Sequence, residues 1–254
     1  NDAAQTGYEF FWNDFCDWYV EATKLSMREG DDAEKDRATT VLLDVLAESL
    51  ALLHPLLPFI TEEIYGKLPG KDGLLINASY PSYKESRTDA EALAEFGFLQ
   101  ELVRTIRTLR SECTISPDRK LRVLVRAGEK ERASLAANGE LVKLLAGTDT
   151  LETAAPQEAA SKGGARPQGS IGLVGEGFEA FVFIAGAVDL VFLKNKFLKE
   201  IEKNRKFSTS LEQKLLNEAF IKNAPPELVE GEKKKLEEAR RRTEKIEAYI
   251  RDMA

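Results

Sequence analysis

Apolar residues along this chain recur at more than one interval, and each interval predicts a different kind of element. In residues 1–68 the spacing is three and four throughout. Tyr8, Phe11, Trp12, Phe15, Trp18 and Tyr19 form an aromatic stripe on one helical face, and Leu42, Val45, Leu46, Ser49, Leu50 and Leu53 form a second amphipathic helix. Gly30, Asp31 and Asp32 separate the two, and Pro55 and Pro58 interrupt or kink the second. Thr61 is placed to N-cap a short helix over 62–68, whose acidic first turn suits the helix dipole. This segment reads as a helical bundle, with core packing as the first reading of its aromatic stripe and base stacking as the second.

Residues 69–186 mix the periods. Pro69-Gly70 opens a loop, and 74–80 reads as a short strand before Pro81. A long helix over 89–112 carries Leu93, Phe96, Leu99, Leu102, Val103, Ile106 and Leu109 inward and Arg104, Arg107 and Arg110 outward. Over 120–126, Leu121, Val123 and Val125 alternate with polar neighbours as in a half-buried strand, and further strands are expected at 170–174 and 179–184. Short helices at 130–137 and 140–146 lie between, and 155–170, rich in Ala, Gly, Pro and Ser, reads as a loop. Helices on a small sheet make an α+β subdomain.

From residue 188 the pattern becomes heptad-like. Leu190, Leu193, Phe197, Ile201, Asn204, Ser208, Leu211 and Leu215 draw one seam with a polar middle. Val229, Leu236, Thr243 and Ile250, joined by Ala239, Ile246 and Met253, draw another. Ala224-Pro225-Pro226 interrupts between them, so the chain is expected to reverse there into an antiparallel hairpin. Each arm would extend on the order of 40 Å at 1.5 Å per residue. The expected fold is mainly α with a small α+β part: a bundle over 1–68, a mixed-sheet subdomain over 69–186 and a coiled-coil hairpin over 187–254.

Charge alters this picture by its distribution. The net charge of the 254 residues is -7, yet residues 188–254 hold 16 of the 36 Lys+Arg and 13 of the 43 Asp+Glu. An acidic body with a mildly basic tail suits contact with a polyanion. Basic side chains on a stiff rod can track phosphates, and Lys194, Lys199, Lys203, Arg205, Lys206, Lys233, Lys234, Lys235, Arg240, Arg241 and Arg242 are the candidate contacts, with Lys196 and Lys245 beside them. The interspersed Glu200, Glu202, Glu237, Glu238 and Glu244 fit ordinary coiled-coil lacing equally well.

Catalytic and metal chemistry finds no seat. No GxGxxG or GxxxxGK[ST] phosphate loop occurs, and the single histidine, His54, lies in an apolar segment and reads as a capped or core residue. Paired carboxylates such as Glu62-Glu63 sit on a helix surface without an aromatic pocket. Cys16 and Cys113 lack CxxC partners and read as buried reduced thiols of a cytoplasmic protein; no metal site, membrane span or signal peptide is expected.

Three phrases resemble one family. Tyr8-Glu-Phe-Phe-Trp-Asn-Asp-Phe-Cys-Asp-Trp-Tyr19, with Glu21 and Lys24, is similar to the anticodon-binding bundle of class I valyl-tRNA synthetases. Leu53-His-Pro-Leu-Leu-Pro-Phe-Ile-Thr-Glu-Glu-Ile-Tyr65 resembles that bundle's second hallmark, which isoleucyl and leucyl enzymes share more loosely. Val188-Asp-Leu190, Leu215-Leu-Asn-Glu-Ala-Phe220 and Lys222-Asn-Ala-Pro225 onward to Glu232 and Leu236 resemble the C-terminal hairpin of the bacterial valyl type. Two lone cysteines cannot form the zinc site with which a bacterial isoleucyl enzyme would end. The resemblance covers nearly the whole chain, weakest over 127–180; Phe207-Ser-Thr-Ser210 and Gly231 depart from the usual hairpin seam.

The resemblance implies a tRNA partner, with the bundle on the anticodon stem-loop and the hairpin at the outer corner of the tRNA. Trp18, Lys24, Arg28 and Arg37 are the anticodon-contact candidates. It also implies catalytic and editing domains preceding these residues, with ATP and magnesium used by the parent enzyme and no cofactor here. Residue 1 would then lie at a cut inside the bundle, and a monomer is expected. Two competing readings use the same heptads: a structural coiled-coil protein that self-associates, and the hairpin module of a ribosome-bound ATPase, which leaves the aromatic bundle unexplained.

Overall fold

The computed structural model describes residues 2–156 and 167–253, which divide into two compact units, Asn1–Ala94 and Glu95–Ala254. The fold is mainly α, with one four-stranded mixed sheet and a C-terminal helical hairpin.

The first unit is helical. Helix α1 (Asp2–Glu9) runs without a break through π-helical Phe10–Val20 into α2 (Glu21–Glu29), and α3 (Asp32–Leu53) returns alongside. Asp31 N-caps α3 in a full capping box: its Oδ1 accepts from Glu34 N at 2.8 Å, and Glu34 Oε2 accepts from Asp31 N at 3.2 Å. Helices α1 and α3 approach closely at Gly7, where a Cβ would stand 3.3 Å from Leu53 Cδ2 and would press that side chain aside.

The π-helical turn redistributes the aromatic stripe. Its i→i+5 bonds make a wider turn, so residues four apart stack: Phe11 on Phe15 at 5.3 Å and Tyr8 on Trp12 at 6.4 Å between centroids. Phe15 and Trp18 enter the core, the latter 5 % exposed, whereas Tyr8 and Trp12 remain 59 % and 54 % exposed. A single stripe expected from α-helical spacing thus becomes one buried row and one open row.

Two expectations in this unit are corrected. The helix after the proline kink is α4 (Pro58–Tyr65), begun by Pro58 itself, whose fixed φ and missing N–H suit a first turn. Thr61 is therefore inside the helix, buried, with its Oγ1 donating to Leu57 O at 2.8 Å and lying 2.8 Å from His54 Nδ1. The strand expected at 74–80 is instead a 3₁₀ turn, Leu75–Asn77. Glu62 explains the change: its carboxylate accepts from Leu75 N at 2.6 Å and Ile76 N at 3.2 Å, satisfying donors that a strand would have paired in a ladder.

The second unit is built on α5 (Ala90–Glu112), β1 (Leu121–Ala127), α6 (Glu129–Ala146), β2 (Thr148–Ala154), β3 (Ser170–Gly175) and β4 (Phe178–Phe183). Asp89 caps α5 by accepting from Glu91 N and Ala92 N at 2.9 and 3.0 Å. Sheet order is β2-β1-β4-β3, with β1 parallel to β2 and antiparallel to β4. Val123 pairs with Val182 and Val125 with Ala180, all fully buried, and Phe98 of α5 meets Phe178 of β4 edge-on at 5.7 Å. The other sheet face sets Arg122 over the Phe183 ring and Arg126 over Phe181, each at 4.5 Å.

Strand β2 was not anticipated, since its sequence Thr-Asp-Thr-Leu-Glu-Thr-Ala lacks a continuous apolar alternation and its place is set by pairing with β1. The two short helices expected between strands are one, α6, kinked at Asn138 (φ -115, ψ 17). Of the loop expected at 155–170, residues 157–166 lie outside the described residues.

The hairpin is α7 (Leu190–Leu216), α8 (Glu218–Asn223) and α9 (Pro226–Asp252), with the short α8 an addition to the expected reversal. Asp189 caps α7 by accepting from Val191 N and Phe192 N at 2.9 and 3.0 Å. Leu193, Phe197, Ile201, Ser208 and Leu211 are buried against Glu232, Ala239, Ile246 and Tyr249, with Phe197 and Tyr249 rings 5.8 Å apart. Of the expected seam, Leu193, Phe197, Ile201, Ser208, Leu211, Ala239 and Ile246 are buried, whereas Val229, Leu236, Thr243 and Ile250 are half-buried, and Glu232 and Tyr249 take buried places that the heptads did not mark.

Candidate nucleic-acid interface

In the first unit the anticodon-contact candidates fall in unlike environments. Trp18 is a core residue, so its indole packs inside the bundle. Lys24 is half-buried and ion-pairs with Glu21 one turn earlier. Arg28 is exposed in the last turn of α2, where a cation also favours the helix dipole. Arg37 is exposed and lines a shallow groove between α2 and α3 with Tyr19, Thr23, Ser26 and Val41. Structure thus brings Arg37 to a groove and leaves Trp18 out of it.

Core packing, set ahead of base stacking for the whole aromatic stripe, fails for the open pair. Tyr8 and Trp12 stack with planes 5° apart at the surface, a flat platform of the kind on which an unpaired base can lie. Their four-residue spacing was the available signal, but an α-helical period merged them with the core row. A second exposed cluster, apolar only, lies on and beside α4: Leu56, Leu57, Phe59, Ile60, Leu74 and Ile76, with Phe59 91 % exposed.

On the hairpin the eleven basic candidates divide by what holds them. Arg205 pairs with Glu247 at 2.7 Å, Lys206 with Glu202 at 2.6 Å, Lys235 with Glu232 at 3.1 Å, Arg240 with Glu212 at 2.7 Å and Arg241 with Glu237 at 2.5 Å. Arg242 is shared between Glu112 at 2.5 Å and Glu200 at 2.8 Å. Among the described residues Lys194, Lys199, Lys203, Lys233 and Lys234 stand in no ion pair. Both readings of the charge pattern therefore apply, each to its own residues: six cations lace the hairpin or its base, and five lysines remain available to phosphates.

Lys199, Lys203 and Lys206 recur at four and three residues on α7, so they share a face, and Phe192 and Phe207 stand exposed on the same face. The buried seam lies on the opposite side of that helix. Inside the seam Glu232 is the charged exception; the Lys235 hydrogen bond, and Lys214 at 3.3 Å, hold its carboxyl below the usual carboxylate range.

The remaining chemistry-bearing groups are held within the fold. His54 is held by Thr61, Cys113 is buried with its thiol pushed up to about 12 by desolvation, and Cys16 is half-buried. Among the described residues no cluster of three or more His, Cys, Asp or Glu could hold a metal ion, and no helix is long and apolar enough to cross a membrane.

Residues 1–125 match the family described as the anticodon-binding domain of tRNA ligase, and residues 189–254 match that of the valyl tRNA synthetase tRNA binding arm. The whole chain is similar to part of the valine–tRNA ligase of Treponema denticola, 48 % identical over 100 % of this chain and 28 % of that protein. It is similarly 40 % identical to the Treponema pallidum enzyme, over 29 % of it, and 35 % identical to the Thermotoga maritima enzyme, over 28 % of it. The chain therefore spans less than a third of the length of these relatives.

Proposed function

This chain belongs to the valine–tRNA ligase family, as its C-terminal region, and from that premise we propose that it holds tRNA at two places for aminoacylation by the longer enzyme. The helical unit contacts the anticodon stem-loop, where unpaired bases offer faces for stacking and edges for hydrogen bonds. The hairpin contacts the outer corner of the tRNA, where a basic rod meets phosphates and exposed bases. Together they orient the molecule so that its 3′ end reaches a distant active site, a positional contribution to rate. ATP and magnesium chemistry belongs to the other parts of such an enzyme.

The observation that carries this reading is that Lys194, Lys199, Lys203, Lys233 and Lys234 stand in no ion pair among the described residues, on a rod whose six other candidate cations, Arg205, Lys206, Lys235, Arg240, Arg241 and Arg242, are each held by a carboxylate. Positive charge without an internal partner, displayed on a rigid double helix of 27-residue arms, fits an external polyanion better than self-lacing. The Tyr8–Trp12 platform supports the anticodon contact in the same way.

The test is binding of the chain to a valine-tRNA transcript across a salt series, with an anticodon-swapped transcript and the double variant Lys199→Ala/Lys203→Ala. Two-site binding requires that affinity fall on anticodon exchange and, separately, on lysine removal, with log K declining as salt rises. Equal binding to every structured RNA would reduce the hairpin to a nonspecific basic rod. A concentration-dependent dimer without RNA affinity would mark it as a self-association device.

A further inference from the structure

The last turn of α5 gathers donors from both helices of the hairpin. Glu112 Oε1 accepts from Arg242 Nη1 at 2.5 Å and Lys245 Nζ at 2.9 Å, and Oε2 accepts from Tyr249 Oη at 2.7 Å. The Glu112 carbonyl oxygen accepts from Lys196 Nζ at 2.8 Å, and the same ammonium reaches Thr114 Oγ1 at 2.7 Å. Arg242 is fixed from its other side by Glu200, which accepts from Nε at 3.0 Å and Nη2 at 2.8 Å. Every one of these donors lies on α7 or α9, while Glu112 ends the helix that packs beside the sheet.

Two features set this contact apart from the pairs further along the rod. The Glu112 side chain is only 10 % exposed, so its charge is little screened and its bonds are charge-assisted in a partly desolvated site. Second, Thr114, two residues on, has φ 56, a left-handed conformation that a β-branched residue adopts only under constraint. The strained turn and the carboxylate are held by the same hairpin: Lys196 grips the turn, and α9 grips the side chain.

The hairpin also meets the sheet: α9 packs beside edge strand β3, where Asp252 Oδ2 accepts from Gly172 N at 2.9 Å, and Ala185 bridges Val188 just before α7. A rod about 40 Å long, at 1.5 Å per residue, turns a small angular change at its base into a displacement of many ångströms at its tip.

We propose that Glu112 is a positioning residue for tRNA: its contacts with Arg242, Lys245 and Tyr249 set the angle at which the hairpin leaves the sheet, and so where the free lysines stand. This rests on the tRNA-binding reading of the hairpin. It also gives Arg242, grouped by charge with the phosphate contacts, an internal role in place of an external one.

The test uses the full chain carrying Cys16→Ser, Lys130→Cys and Ser210→Cys, with nitroxide labels on the two new thiols; both positions are exposed, and Cys113 is buried with a raised pKa. Distances between labels are measured by pulsed electron resonance, and tRNA affinity by titration, for the parent and for Glu112→Gln and Tyr249→Phe. Both variants keep side-chain volume, and circular dichroism verifies that each is folded at the measuring temperature. The expected result is a narrow distance distribution in the parent, broadened in both variants. If the required angle is then populated a tenth of the time, tRNA affinity falls about tenfold. The penalty for anticodon exchange is expected to stay the same, which a general loss of structure would not allow. A distribution that stays narrow in Glu112→Gln overturns the proposal whatever the RNA does, and broadening without loss of affinity overturns the positioning role. Failure of the parent to bind tRNA would instead remove the functional reading on which the role depends.

Discussion

Arg110 Nη1 donates to the carbonyl of Gly147 at 3.0 Å, tying the end of α5 to the residue that ends α6. The same guanidinium donates through Nη2 to Ser116 O and Arg119 O, both at 2.8 Å, and Arg110 is 8 % exposed. The i+3 spacing with Arg104 and Arg107 suggests an outward arginine face, which holds for the first two only. Arg110→Met is expected to lower the stability of this unit by about 2–4 kcal/mol, because buried carbonyls lose their donor. Urea unfolding followed by circular dichroism checks it, and a loss below measurement error would mean that water replaces the guanidinium.

Gly147 completes that contact. Its φ of 69 is left-handed, and a Cβ there would lie 3.4 Å from the Arg110 guanidinium carbon. By contrast Gly231, inside α9, has open space where a Cβ would stand. Gly231→Ala is expected to raise the hairpin's stability by about 0.5–1 kcal/mol through helix propensity. Thermal unfolding or hydrogen exchange in α9 would report it; no gain would imply a contact at Gly231 in solution.

The two tryptophans separate packing from display. Trp18→Ala is expected to destabilise the helical unit by about 3–5 kcal/mol, as for other buried aromatic truncations. Trp12→Ala should leave stability nearly unchanged and lower affinity for the anticodon stem-loop by about 1–3 kcal/mol if a base stacks on it. Equilibrium unfolding and stem-loop titration, run on both variants, distinguish the roles; equal effects on both readouts would refute the division.

Salt dependence measures the hairpin's phosphate contacts directly. Replacing Lys199 and Lys203, neither of which stands in an ion pair, by Ala should reduce the slope of log K against log salt by roughly 1–2. Arg241→Ala releases Glu237 as it removes a cation and should change the slope less than a lysine does. An equal effect per residue would show that RNA displaces the internal pairs.

Acid stability carries the signature of Glu112. Desolvation, the largest single influence, pushes its carboxyl up, but the Lys245 and Tyr249 hydrogen bonds with the Lys245 and Arg242 charges outweigh it, so the pKa is lowered from 4.5. A carboxyl that titrates lower when folded contributes fully above its unfolded value and loses that contribution as pH falls through the folded one. Stability should therefore decline as pH drops below about 4.5 partly through this group, and Glu112→Gln should be less stable at neutral pH and decline less steeply. Urea midpoints measured from pH 7 to pH 3 test this; parallel curves for the two proteins would contradict it.

Much of the architecture was legible because it rests on local repetition. The heptads of Leu193, Phe197, Ile201 and Leu211 specify a seam whatever lies around them, and the alternation of Leu121, Val123 and Val125 specifies a strand with one buried face. The illegible parts depend on partners distant in the chain. Strand β2 exists because β1 offers a parallel edge, and 74–80 fails as a strand because Glu62 takes its amides. Of the candidate site, the identity of the cations was readable, but which of them would be spent on Glu200, Glu212 or Glu247 was not.

Sequence alone determined the long helices, the strands β1, β3 and β4, the hairpin with its basic composition, and a family resemblance carried by three ordered phrases, since periodicity and motif are properties of neighbouring residues. Tertiary structure alone decided which aromatics are buried, which lysines are free and where the hairpin is fastened. Glu112 and Tyr249 are 137 residues apart in the chain and 2.7 Å apart in space. Only folding places those two groups together, because burial and charge pairing are settled by what the rest of the chain brings alongside.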